Sequence, residues 1–157
     1  MAEIGRIVCI SGHIMKLVSK GDIAMKFMGA VVAFFVTEFM FHMMDAFAAG
    51  LKADTPIERI GAVLCGITVL AILMAVFRKF FSRSFYNGFV VAVGLFLSFD
   101  IAVFHWVFQL HRITNGPEAN WLEPVFVVSG IVFVAHGVKK DRALKNTGER
   151  SDVSLPL

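Results

Sequence analysis

Four apolar stretches, each long enough to cross a bilayer, alternate with short polar punctuation along this chain. They run from about Met25 to Gly50, Ile60 to Phe77, Tyr86 to Leu110 and Trp121 to Val138. Between them lie "LKADTPIE", "RKFFSRS" and "HRITNGPEAN", where charged residues and the turn pair Gly116–Pro117 interrupt the apolar run. A helix needs roughly 20 predominantly apolar residues to span the hydrocarbon core, so each stretch predicts a membrane-crossing helix. Short connections make successive spans antiparallel neighbours. The predicted fold is therefore all-α, an integral membrane up-down four-helix bundle forming one domain over residues 1–138.

The two ends read differently. In "IGRIVCISGHIMKLVSK", residues 4–20, Ile7, Ile10, Ile14, Leu17 and Val18 recur at helical spacing while Arg6, Lys16 and Lys20 break any spanning run. That pattern predicts an N-terminal amphipathic helix lying in the membrane interface, with His13 on its surface. Residues 139–157, "KKDRALKNTGERSDVSLPL", read as a polar cytoplasmic tail, flexible or held by a partner.

Composition agrees with a membrane setting. The chain is 57% hydrophobic and 17% charged, with 17 Phe, whereas soluble domains sit near 45–50% and about 25%. The net charge of +3 does not point to nucleic acid, because the basic residues cluster at segment ends. Arg6, Lys16, Lys20, Lys26, Arg78, Lys79, Arg83, Lys139, Lys140, Arg142, Lys145 and Arg150 fall on one side of the bilayer, against Lys52, Arg59 and Arg112 on the other. The positive-inside rule then places both termini in the cytoplasm, with the chain in the cell (inner) membrane. Trp106 and Trp121 fall at the outer boundary and Tyr86 at the inner one. The start of the chain lacks the pattern of a cleaved signal peptide, so the first span is expected to direct insertion. Cys9 and Cys65 form no readable disulfide or metal motif. There is no nucleophile–base pattern and no phosphate loop, so an enzyme is not the expected reading. "GAVVA" (29–33) and "GFVVA" (88–92) echo each other at the openings of spans one and three.

The candidate chemistry lies in ionisable residues inside the spans. Glu38, His42 and Asp45 share one face of span one, at spacings of four and three. Span three holds Asp100 and His105, followed by His111. An acidic or basic residue near the bilayer centre costs roughly 2.5–3.5 kcal/mol on insertion scales, so these groups must be paired, neutralised or bound to something. At a rise of about 1.5 Å per residue, Glu38 and Asp100 fall near mid-membrane, and His42, Asp45 and His105 in the outer half. His111 and Glu123 fall at the outer mouth. Asp100 and His105 stand about 140° apart on an α-helix and cannot both address one atom without a kink or an intervening partner. Histidine with carboxylate is a ligand set for divalent metals, copper or zinc among them. His42 and His105 could instead be the axial ligands of a haem b, and acids with histidines could carry protons or ions. Met40, Met43 and Met44 are expected to serve packing.

The pattern Asp100-x4-His105-x5-His111, preceded by "GLFLSF" and followed by "RITNGPEANWLEPVFVVSGIVFVAHG", resembles a bacterial family of predicted multi-span membrane proteins of unknown function. The resemblance covers about residues 86–138. Asp100, His105 and His111 match the family's pattern, Arg112 and Leu110 replace its second histidine and its tryptophan, and "TEFMFHMMD" matches it loosely. It implies a multi-span fold and a metal or haem, and no reaction. The expected function is that of an accessory or assembly subunit of a larger membrane redox complex, with a metal ion, copper favoured, in the outer half of the bundle. Glu38, His42, Asp45, Asp100 and His105 are the expected ligands, with His111 as an entry ligand. The lipid bilayer and other membrane subunits are the expected partners. The alternatives are a small haem b cytochrome and an ion- or proton-conducting protein.

Overall fold

The computed structural model describes residues 20–41, 43, 50 and 53–153, with side chains as far as Ala143. The expected interfacial helix, with His13, falls outside the described residues apart from Lys20. Among the described residues there is no strand. Among these residues four helices are long and apolar enough to cross a membrane. We number them α1 (Lys20–Phe41), α2 (Pro56–Phe80), α3 (Arg83–Leu95) and α4 (Ala119–Val153). A π-helical segment, Phe96–Val107, prolongs α3 without a break, so the third span is Arg83–Val107.

Local chemistry sets the boundaries. Thr55 caps α2 in a reciprocal box: its hydroxyl accepts from the Glu58 backbone N–H, and the Glu58 carboxylate accepts from the Thr55 N–H. Pro56 occupies the first turn, where its missing N–H costs nothing. Ser82 caps α3 through the Phe85 N–H. The fourth helix continues to Val153, through much of the stretch that composition reads as a polar tail.

The bundle is built around α3. On α1 the buried positions Gly29, Ala33, Thr37 and Met40 recur every three or four residues. A Cβ on Gly29 would strike the Phe85 carbonyl, and one on Gly88 would strike the backbone of Lys26. The echoed glycines of "GAVVA" and "GFVVA" therefore mark the point where α1 and α3 bring their backbones together. Gly94 and Gly130 do the same for α3 and α4, where a Cβ on Gly130 would lie 2.5 Å from the Gly94 oxygen. Helices that gain little from leaving lipid must pack through such close approach. Phe77 of α2 meets Phe85 and Phe89 of α3 edge to face at 5.7 and 4.7 Å. Otherwise α2 buries little, only Gly66 and Leu70.

The exterior is apolar, as a bilayer solvent demands. Phe27, Phe35, Phe39, Ile72, Val107, Val128 and Ile131 are all exposed. Among the described residues, Glu38 and Asp100 lie inside the spans and the other charges gather toward the two ends. At one end Lys26 bridges Asp22 at 3.0 Å and Asp141 of α4 at 2.6 Å, and the Ser84 hydroxyl donates to Asp22. The opposite end carries the site.

Candidate metal centre

The π-helix decides the geometry. Its hydrogen bonds close to the fifth residue back, as in Phe108 N–H to Val103 C=O at 2.9 Å, and the widened turn brings positions five apart nearly onto one line. Asp100 and His105, on different faces of an α-helix, thereby come into contact, with Asp100 Oδ2 3.5 Å from His105 Nε2. Two layers of ionisable groups were expected from an α-helical rise, and these residues instead share one.

His111 arrives by a chain reversal. The helix stops at Val107, and Gln109 adopts a left-handed backbone with φ of +53°, a conformation that costs a side-chain-bearing residue about 1–2 kcal/mol. The turn carries the chain back toward the bundle, so that His111 Nε2 lies 3.2 Å from His105 Nε2. Possible ligand atoms of Asp100, His105 and His111 all lie within 4.8 Å of one another. Two ligands each about 2.1 Å from an ion and at a tetrahedral angle stand about 3.4 Å apart. The separations of 3.2 and 3.5 Å suit such an arrangement.

Behind the histidine sits Glu123, fully buried in the first turns of α4. Its Oε1 lies 3.0 Å from His105 Nδ1 and accepts from Arg112 Nε and the Ile113 N–H, each at 3.3 Å. Its Oε2 accepts from Trp106 Nε1 and an Arg112 terminal nitrogen, each at 3.0 Å. Each of these four N–H groups can only donate, so Glu123 acts as an acceptor-only carboxylate. His105 must then present Nδ1–H to it, so that in a neutral ring the Nε2 lone pair faces Asp100 and His111. A ring held by a carboxylate on one nitrogen and free to ligate with the other is the usual setting of a metal-bound histidine.

A second carboxylate ties α2 across the top. Glu118 pairs with Arg59 through both oxygens and accepts from the Thr114 hydroxyl at 2.9 Å, while Arg59 also donates to the Asp54 carbonyl at 2.7 Å. Gly116 leaves the room this cluster needs, since a Cβ there would collide with both Glu118 oxygens and Arg59. The Arg59 guanidinium holds the Glu118 carboxyl at about 2, well below its ordinary 4.5. A carboxyl depressed on folding stabilises the fold fully above its ordinary value and loses that effect as pH falls through its folded value. Protection of the amides in the first turn of α2, relative to their intrinsic exchange rates, is therefore expected to stay constant from about pH 8 to about pH 5 and to fall as pH drops toward about 2. Glu118→Gln is expected to show lower protection than the wild type above about pH 5 and to converge with it as pH drops toward about 2.

Arg59, Ala62 and Val63 of α2 face Asp100, His105 and His111 across a cavity of about 830 Å³, which Glu38 of α1 also lines. The structure thus brings four of the expected ligands, Glu38, Asp100, His105 and His111, to one space, three of them within ligand distance. His42 and Asp45 lie outside the described residues, and so does the haem pairing of His42 with His105. Sequence reasoning left Glu123 at the outer mouth and gave Trp106 and Arg112 to the interface. All three form the support behind His105. The available signal was an acid in an apolar stretch, three residues into span four and followed by Pro124, which needs a partner as much as Asp100 does.

No curated protein and no solved structure matches the chain significantly. Residues 42–142, more than half of the chain and including every residue of the contact set around His105, match a family of unknown function described as "Predicted membrane protein (DUF2243)", and the chain belongs to that family.

Proposed function

We propose that this is a multi-pass membrane protein that binds one divalent metal ion through Asp100, His105 and His111. One observation carries the reading. His105 gives Nδ1 to Glu123 and turns Nε2 toward Asp100 Oδ2 at 3.5 Å and His111 Nε2 at 3.2 Å. That is a ligand cluster with its supporting carboxylate in place. Glu38 is the candidate for a fourth ligand from α1, and His42 and Asp45 remain candidates on the segment that follows it. Two imidazoles and a carboxylate suit zinc, copper or iron, and copper binds such a mixed site most tightly of the first-row divalent ions. Copper is the ion we assign.

The membrane role follows from the same residues. With both termini in the cytoplasm and the protein in the inner membrane, the site sits in the outer half of the bilayer, where it can receive an ion from the extracytoplasmic side. No nucleophile–base pair stands beside the site among the described residues. We therefore assign the protein as an accessory or assembly subunit that holds an ion for a larger membrane redox complex.

Elemental analysis of protein purified in mild detergent tests the reading. About one metal ion per chain is expected, with no Soret band, and the ion is expected to be lost in His105→Ala. A Soret band with about one iron per chain, and no stoichiometric copper or zinc, would establish the haem alternative. Metal content unchanged in His105→Ala would rule out the site.

A further inference from the structure

An ion needs only the space among its ligands, yet the three ligand residues open onto a cavity of about 830 Å³, within the range of chambers that hold small organic molecules. Asp100, His105 and His111 all line that cavity, and in a four- to five-coordinate sphere they leave one position that Glu38 would take and one for an outside donor. Its other walls are mainly apolar, with Phe41, Val63, Phe96, Phe104 and Phe126 among them. The wall made by α2 is the least firmly packed in the bundle, since that helix buries only Gly66 and Leu70. It is pinned at the top by the Arg59–Glu118 pair.

Building on the metal assignment, we infer that the chamber receives an amphipathic organic molecule whose nitrogen or oxygen donor completes the coordination of the ion while its apolar body lies against α2. A water or hydroxide ligand would leave these apolar walls wetted or empty. An acyl chain of a bilayer lipid would fill them without reaching the ion. A molecule with a donor at one end and an apolar body satisfies both halves of the site, and its passage from the lipid runs past α2.

The test uses the full chain in detergent, loaded with Co(II), whose visible absorption reports coordination. Imidazole and 4-phenylimidazole supply the same donor with and without an apolar body. The phenyl compound is expected to bind at least about tenfold more tightly in the wild type, as burial of an aromatic ring implies. Val63→Trp, which fills the chamber, is expected to remove that preference while leaving Co(II) uptake and imidazole affinity unchanged. Ala62→Phe serves the same purpose should Val63→Trp fail to take up Co(II). Equal preference for the phenyl compound in wild type and filled variant would overturn the inference, because the ring would then be partitioning into the micelle. Equal affinity for the two compounds in the wild type would overturn it as well. Failure of the wild type to bind Co(II) would overturn this inference, and failure to bind copper as well would overturn the metal assignment with it.

Discussion

Arg112→Leu is expected to destabilise the protein, the largest stability effect the site predicts. The substitution strands Glu123, whose side chain is 1% exposed, without its paired cation. Removing one partner of a fully buried ion pair costs about 3–5 kcal/mol. The expected value is smaller here because Arg112 is 44% exposed and Glu123 keeps Trp106, Ile113 and His105 as donors. Adding Glu123→Gln to Arg112→Leu removes the stranded charge and is expected to recover roughly half of the loss, a coupling that a double-mutant cycle isolates. Unfolding in mixed detergent micelles measures both. Equal, additive losses would mean that Arg112 and Glu123 do not act as a pair.

Glu123→Gln alone is expected to weaken metal binding about 10–100-fold, the usual effect of removing a carboxylate that supports a ligand histidine. The glutamine keeps the size of the side chain, yet its neutral amide no longer requires His105 to present Nδ1–H. Nitrogen NMR of His105 is expected to show the Nδ1-protonated tautomer in the wild type without metal and a mixture in the variant. A merely structural Glu123 would leave that tautomer unchanged while lowering stability. An isothermal titration with the metal, at a content still reaching one ion per chain, separates weakened affinity from a destroyed site.

Much of the fold was legible in the sequence because its cause is local. Apolar runs of spanning length, ended by charged and turn-forming residues, mark four helices whatever they pack against. The echoed glycines of α1 and α3 were visible as a repeat, and only the packed backbones show that they are a crossing point. The site was half legible. Ionisable residues that a bilayer penalises announce themselves, and Asp100, His105 and His111 were all named. Their arrangement was not readable, because it depends on two backbone events with weak sequence signatures. The π-helix over Phe96–Val107 aligns residues five apart, and Gln109 turns the chain in a conformation usually left to glycine or asparagine. Extrapolating an α-helical rise therefore separated Asp100 from His105 and left His111 at the mouth. Glu123 was overlooked for the same reason. Depth counting put it at the surface, whereas the reversal after Val107 folds Arg112 and Ile113 over it.

Asp100, His105 and His111 share one ion in the site proposed here. X-ray absorption at the edge of the bound metal counts imidazole ligands directly. We expect two in the wild type, one in His111→Ala, and two with one fewer oxygen in Asp100→Ala. A wild-type spectrum with no imidazole scattering, or a count that His111→Ala leaves at two, would contradict the site as drawn.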